Sequence, residues 1–153
     1  RHELQHGVDR HSKTIIAMNI ELLLDYCVRF YERQFITRNE VNRDILVRFE
    51  NVLDEYFVSD RPQQIGLPSV GYCAGKLHLS PNYFGDLIKK ETGRTAQEHI
   101  QMKLIDLAKE RVFDTGKSIS EIAYELGFKY PQHFTRLFKR IVGQTPNQYR
   151  MMN

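Results

Sequence analysis

The hydrophobic and polar positions of this chain follow the three- and four-residue spacing of α-helices, and the readable segments predict an all-α fold. Between Ser12 and Phe35 the apolar residues are too dense for one helical face, so a helix there needs burial on two sides. Thr37 and Glu40 have the spacing of a capping box, and a second apolar stripe then runs from Val41 to Tyr56. These patterns predict a helical hairpin within residues 1–60.

Composition divides the rest of the chain. Residues 61–68 contain two prolines and a glycine and are predicted to form a linker. Capping boxes that begin at Thr95, Ser118 and Thr145 indicate further helix starts beyond the linker. Residues 69–150 are therefore predicted to form a second helical domain.

An internal repeat relates residues 70–99 to residues 119–149, with eight identities over thirty aligned pairs. Each copy predicts a short helix, a tight turn and a second helix. In copy two, Ala123 allows the second helix to approach closely, Gly127 suits a turn with positive φ, and Phe128 closes the small core. The predicted bounds are about 69–94 for the first unit, 96–114 for a linking helix and 118–143 for the second unit.

This arrangement is typical of a helix-turn-helix unit, whose second helix offers its outer face to the major groove of DNA. On that face in copy two, Lys139 and Arg140 can reach phosphates, and polar side chains can bond base edges. A linking helix of this length gives roughly 28 Å of spacer, comparable with the roughly 34 Å between successive major-groove segments. The side chains suited to base edges are Gln132, His133, Thr135 and Arg136.

Charge is distributed unevenly along the chain. Residues 69–153 carry thirteen basic and eight acidic residues, a net +5, whereas residues 1–68 carry nine and eleven, a net −2. No acidic residue follows Glu125. A basic end of this kind favours a polyanionic partner, bound with release of counterions.

Other kinds of site find no support in the sequence. No run of about 18 apolar residues predicts a membrane span, and Cys27 and Cys73 are predicted to be reduced core residues. His2, His6 and His11 have spacings that fit one helical face poorly, so no metal or cofactor site is predicted. Since no phosphate-binding glycine loop, zinc-protease motif or nucleophile elbow occurs, the chain is not predicted to be an enzyme.

Residues 69–150 resemble the DNA-binding domain of the bacterial AraC/XylS regulators. This resemblance implies seven helices in a homeodomain-like tandem, an asymmetric double-stranded DNA site, and transcription regulation in the cytoplasm at the nucleoid. It also implies activation through contact with RNA polymerase. The matching segments are Ser118–Phe128, His133–Arg140 and Gly143–Arg150 in copy two, and Leu79–Phe84 and Lys89–Gly93 in copy one.

Carried over by position, the resemblance assigns base contacts to four residues in each second helix. Copy one departs from the family, because Gly85 offers no side chain and Asp86 can at best accept a hydrogen bond from a cytosine amine. We therefore expect copy two to dominate base reading. The predicted DNA-binding residues are Asn82, Tyr83, Gly85, Asp86, Lys89, Lys90, Tyr130, Gln132, His133, Thr135, Arg136, Lys139 and Arg140.

The family usually places a sensor domain before this module, and residues 1–60 resemble instead the connecting and dimerisation helices between sensor and DNA reader. Two alternatives stay open for the apolar first helix: a homodimer through residues 12–57, or burial against the DNA-binding domain itself. The rival function is a helical interaction adaptor without specific DNA binding, which Gly85 and Asp86 favour. Arg136, Lys139 and Arg140 count against it. The operator, the regulated genes, the direction of regulation and the effector are not determined by the sequence.

Overall fold

The computed structural model describes residues 10–152. All regular structure within that range is helical, which confirms the predicted all-α class. None of the described helices combines the length and hydropathy needed to cross a membrane. The helices are α1 (Arg10–Val58), α2 (Arg61–Ile65), α3 (Val70–Lys76), α4 (Pro81–Thr92), α5 (Ala96–Val112), α6 (Ile119–Glu125), α7 (Pro131–Val142) and α8 (Pro146–Met152).

The predicted helical hairpin is wrong, because α1 continues through the expected turn without a break. Instead of capping a new helix, the Thr37 hydroxyl donates to the Arg33 carbonyl at 2.9 Å, one turn earlier in the same helix. No glycine or proline occurs between Arg10 and Val58. Without a residue that interrupts the backbone hydrogen bonds, the capping-box pattern alone does not end a helix.

The chain forms two compact units, Arg1–Arg43 and Asp44–Asn153. The second unit thus begins well before the predicted domain start at residue 69. The last turns of α1 account for the difference, because they bury Phe49 and Leu53 in the hydrophobic core of this unit. Six helices begin between residues 69 and 150, one fewer than the seven that the resemblance implied for this range, and the end of α1 packs in the same core.

The segment predicted as a linker is folded and packed. It forms α2 and then turns at Gly66, whose carbonyl accepts the Tyr56 hydroxyl at 2.6 Å. Pro62 and Pro68 are buried. Proline and glycine therefore shape a tight connection here and do not mark a free linker.

In the first unit, the large apolar side chains of α1 are exposed, for example Leu23 at 61% and Phe30 at 62%. The prediction that Cys27 lies in a core is wrong, since this thiol is exposed. A single helix has no second layer of its own that could bury these side chains.

Of the histidines weighed for a metal site in the sequence, His2 and His6 lie outside the described residues.

The first helix-turn-helix core packs against the end of α1. The Phe49 and Phe84 rings meet edge to face with centroids 5.0 Å apart, as do the rings of Tyr56 and Tyr72. Cys73 is fully buried in this core, as predicted, and burial raises the pKa of its thiol to about 11. The thiol therefore stays protonated and packs as a small apolar group.

The second helix-turn-helix core is a row of aromatic rings. Phe128, Phe134 and Phe138 follow one another with centroid distances of 5.3 and 5.7 Å, and Tyr149 of α8 adds a further contact at 5.5 Å. Between the two cores runs α5, which contacts α4, α6, α7 and α8. The linking helix is therefore a shared structural element of the second unit and holds both helix-turn-helix cores.

Candidate nucleic-acid interface

The repeat found in the sequence has the same local structure in both copies. The amide of Leu79 donates to the carbonyl of Ala74 at 2.9 Å, and the amide of Phe128 donates to the carbonyl of Ala123 at 3.0 Å. Both alanines are fully buried. These matched bonds hold α3 against α4 and α6 against α7 in the same kind of turn.

The two second helices, α4 and α7, also match in length and in their ends. Each has twelve residues, begins with proline and ends at a glycine in the left-handed conformation, Gly93 or Gly143. The amides of these glycines donate to the carbonyls of Lys89 and Lys139 at 2.9 and 2.8 Å. We call α4 and α7 the recognition helices.

The recognition helix α4 buries one side and exposes the other. Phe84, Leu87 and Ile88 face the core. The predicted contact residues lie on the remaining surface, where Gly85 is half-buried and the other side chains are exposed. The exposed residues are Asn82, Tyr83, Asp86, Lys89 and Lys90.

The recognition helix α7 is divided in the same way. Phe134 and Phe138 are fully buried, while Thr135 is half-buried at the edge of the outer face. No hydrogen bond or ion pair within residues 10–152 engages the side chains of Gln132 and Arg136, so their polar groups point to solvent. The exposed predicted residues of this helix are Gln132, His133, Arg136, Lys139 and Arg140.

The start of α7 differs from the start of α4. Ser80 caps α4 by accepting the Tyr83 amide at 3.3 Å, whereas Tyr130 stands at the N-cap of α7 without a side-chain cap bond. The Tyr130 ring contacts the His133 ring edge to face at 5.4 Å, and the Lys129 ammonium lies 5.5 Å from its centroid. The residue inserted in copy two thus brings a cation and two rings together at the entry to the recognition helix.

The outer faces of the two recognition helices differ in charge at their matched positions. Asp86 on α4 corresponds to Arg136 on α7 in the repeat alignment, and both are exposed. A guanidinium can donate two hydrogen bonds to guanine, whereas a carboxylate repels the phosphate backbone. The chemistry of α7 therefore suits DNA better than that of α4.

Arg140 lies at the side of the recognition face. Its Nη2 donates to Gln101 Oε1 on the linking helix at 2.9 Å. Gln101 could not be predicted as a partner from the sequence, because 39 residues separate it from Arg140 and no local pattern connects them. Arg140 is thus anchored to α5 before any ligand is present.

Within residues 10–152, no group of three or more histidine, cysteine or acidic side chains could hold a metal ion.

Comparison with known proteins agrees with this geometry. A family model described as a helix-turn-helix domain matches residues 73–152. The TetD protein of transposon Tn10 from Escherichia coli is 34% identical over 134 residues, which cover 88% of this chain and 83% of TetD. AdaA of Bacillus subtilis, named a bifunctional transcriptional activator and DNA repair enzyme, is 32% identical over 103 residues, 67% of this chain.

The chain spans only 47% of the length of AdaA and 10% of another curated regulator that it matches. Among solved structures, the C-terminal domain of AraT, a response regulator from Geobacillus stearothermophilus, is similar with a TM-score of 0.62 and 27% identity. That match covers 71% of this chain and 85% of the AraT domain. This chain belongs to the AraC-type helix-turn-helix family and contains the DNA-binding domain of a transcription regulator.

Proposed function

We propose that this chain binds one specific DNA sequence with both recognition helices and activates transcription from it by contacting RNA polymerase. The observation that carries the proposal is the pair of exposed polar faces on α4 and α7, held by one linking helix. With 17 residues, α5 is about 26 Å long. This length is compatible with two recognition helices in successive major-groove segments.

In this proposal α7 supplies most of the sequence specificity. Gln132 and Arg136 have free amide and guanidinium groups for base edges, and Lys139 can neutralise a phosphate. On α4, Asn82 and Tyr83 contact base edges in the second major-groove segment, and Asp86 restricts the base pairs that this segment can contain. The resulting site is asymmetric because the two faces differ.

A second part of the proposal is that the chain forms a homodimer through α1. Ile16, Ile20, Leu23, Cys27 and Phe30 follow one another at spacings of four, three, four and three residues, which is the seam pattern of a coiled coil. All five are exposed. Apolar residues in this arrangement fit a second copy of the same helix, which would bury them.

The chain acts in this proposal by binding and not by catalysis, and it acts in the cytoplasm, where the DNA of a bacterium lies. AdaA shows that a relative can carry a repair activity as well. A direct test of the proposal about catalysis is whether the purified chain alters the DNA that it binds.

Selection of bound duplexes from a random-sequence pool tests the proposed function. We expect enrichment of an asymmetric motif with two halves about ten base pairs apart. Recovery of duplexes without enrichment would mean that the chain binds only the DNA backbone, and the proposal of sequence-specific reading would then be wrong.

The rival function is an adaptor that kept the helix-turn-helix fold and lost specific DNA binding, and the exposed Asp86 is the observation in its favour. Salt dependence separates the two functions. A DNA reader loses affinity steeply as salt rises because it releases counterions, whereas an adaptor would show no DNA binding even at low salt.

A further inference from the structure

A groove beside the recognition helix α7 is lined by cationic side chains from distant parts of the chain. Its volume is about 610 Å³, and it is lined by Arg94, Glu98, Gln101 and Met102 before and along α5 and by Arg140 and Ile141 of α7. Hydrogen bonds from Thr95 lower the pKa of Glu98, and the charges of Arg94 and of Lys89 on α4 lower it further. The groove therefore brings side chains of α7 together with side chains at the start of α5.

Both guanidinium groups of the groove are anchored to consecutive residues of α5. Arg140 donates to Gln101 Oε1 at 2.9 Å, and Arg94 Nη1 lies 3.0 Å from the Met102 sulfur. A guanidinium has five N–H donors, so each arginine keeps most of them for a ligand.

Glu98 is the acidic residue of the groove, and its carboxylate is engaged at the start of α5. Its Oε2 accepts hydrogen bonds from the backbone amide of Thr95 at 2.7 Å and from the Thr95 hydroxyl at 3.0 Å. The backbone at the start of the helix thus compensates part of this negative charge. The two guanidinium groups leave the groove net cationic.

The backbone that carries Arg94 is held in place. The Arg94 amide donates to the Thr92 hydroxyl at 3.2 Å, and that hydroxyl lies 2.9 Å from His99 Nε2. The His99 ring in turn contacts the Phe49 ring, 6.1 Å away between centroids. Arg94 is therefore preorganised from the core of the second unit, which reduces the entropy lost on binding a ligand.

We infer that this groove binds a phosphate of the DNA backbone between the two base-reading segments, with Arg94 and Arg140 as its ligands. The inference rests on the proposed function. The planar guanidinium fork matches the geometry of a phosphate, and two such forks lining one groove suit a single anionic group. When two recognition helices enter successive major-groove segments, the intervening backbone passes the helix that joins them, and this helix is α5.

The inference is tested by measuring affinity of the full chain for a selected duplex and an unrelated duplex over a range of salt concentrations. Arg94→Ala and Arg140→Ala are each expected to weaken binding to both duplexes by a similar factor of about ten. Each is also expected to lower the slope of log affinity against log salt by about 1. Arg94→Lys should restore the salt slope and only part of the affinity, because an ammonium cannot bind in a bidentate way.

Lys103→Gln is the matched control, because it removes one positive charge from α5, the helix that both arginines contact. Lys103 forms an ion pair with Asp54 of α1 and does not line the groove. We expect it to change DNA affinity by less than about twofold. The unfolding temperature of each variant is measured as well, and a value equal to that of the wild type excludes a folding defect.

If Arg94→Ala weakens DNA binding no more than Lys103→Gln does, the inference is overturned. It is also overturned if Arg94→Ala leaves DNA affinity intact but abolishes transcription in vitro, since the groove would then contact an acidic protein surface. Failure of the proposed function has a different readout, because the wild-type chain itself would then enrich no duplex.

Discussion

At the scale of single residues, the turn at Gly127 leaves no room for a side chain. Its φ is +95°, and a Cβ atom built there would lie 2.9 Å from the Pro62 carbonyl oxygen and 3.0 Å from the Gly66 carbonyl carbon. Because both contacts are backbone atoms, they cannot move away cheaply. We expect Gly127→Ala to lower the free energy of unfolding by about 2 kcal/mol or more, measured by urea denaturation.

The matched position in copy one provides the control. His78 occupies that turn with φ +58° and an exposed side chain, so a residue larger than glycine is accommodated there. His78→Gly removes this strain but adds backbone freedom in the unfolded chain, and we expect a net change within about 1 kcal/mol. Equal losses of stability at the two turns would show that α2 does not pack on Gly127 in solution.

A second residue-scale prediction concerns base reading. Arg136→Ala removes the exposed guanidinium of α7 and is expected to cost about 1–3 kcal/mol of binding to the selected site, with relaxed specificity at one base pair. Asn82→Ala on α4 should cost less. Binding titrations with single-base variants of the site measure both effects. An unchanged affinity for Arg136→Ala, together with loss of binding for Asn82→Ala, would assign the dominant role to copy one.

At the scale of elements, the starts of α5 and α6 carry capping boxes whose glutamates respond to pH. In the box of α6, Glu121 Oε2 accepts the Ser118 amide at 2.6 Å, and the Ser118 hydroxyl accepts the Glu121 amide at 3.1 Å. These backbone and side-chain bonds lower the pKa of Glu121 below its usual value of 4.5. The stabilisation is therefore present above that value and is lost as pH falls through the lower pKa of the folded state.

Glu121→Gln tests this dependence. The variant keeps an oxygen acceptor, as Gln148 does in the box at Thr145, but it no longer titrates. We expect its free energy of unfolding to fall less than that of the wild type between about pH 5 and pH 3, measured by urea denaturation. Glu110→Gln is the control, since Glu110 lies outside a cap. Parallel curves for Glu121→Gln and the wild type would contradict the prediction.

A single arginine fastens α8 to the end of the linking helix. Arg150 donates from Nε to the Val112 carbonyl at 2.6 Å and from Nη2 to the carbonyls of Asp114 and Lys117 at 3.2 and 3.0 Å. Arg150→Ala removes these three bonds, and only the Asp114 carbonyl keeps another donor, the Lys117 amide at 3.3 Å. We expect a loss of about 2 kcal/mol in thermal or urea unfolding. Arg150→Lys should recover little, because an ammonium cannot span three carbonyls in this geometry.

At the scale of the whole molecule, the stability of the second unit and the oligomeric state that depends on the first unit can be measured separately. The second unit, Asp44–Asn153, has its own hydrophobic core, and we expect a fragment with these bounds to unfold cooperatively. If α1 forms a coiled coil, the full chain sediments as a dimer at micromolar concentration and the fragment as a monomer. Leu23→Glu in the full chain should give a monomer, since it places charge in the seam.

Sedimentation of the full chain as a monomer would overturn the proposed homodimer. A dimer that persists in the 44–153 fragment would place the contact in the DNA-binding unit. Glu40→Gln changes a charged position of α1 outside the proposed seam and is the control for Leu23→Glu.

The recognition helices could be predicted from the sequence because their signals are local. Phe84 and Phe134 mark the buried sides, and the proline starts and glycine ends bracket both helices within twelve residues. The groove at Arg94 and Arg140 could not be predicted in this way. Its members come from different helices, and the bond between Arg140 and Gln101 spans 39 residues.

By itself the sequence determined the helical class, the repeated helix-turn-helix units and the likeness to the AraC-type family, because spacing, caps and turn residues act over a few residues each. Tertiary structure alone decided that α2 packs beside Gly127 and that Arg140 is anchored to Gln101. Turn residues are only local preferences, and packing decides whether a segment that contains proline and glycine is a free linker or covers a surface.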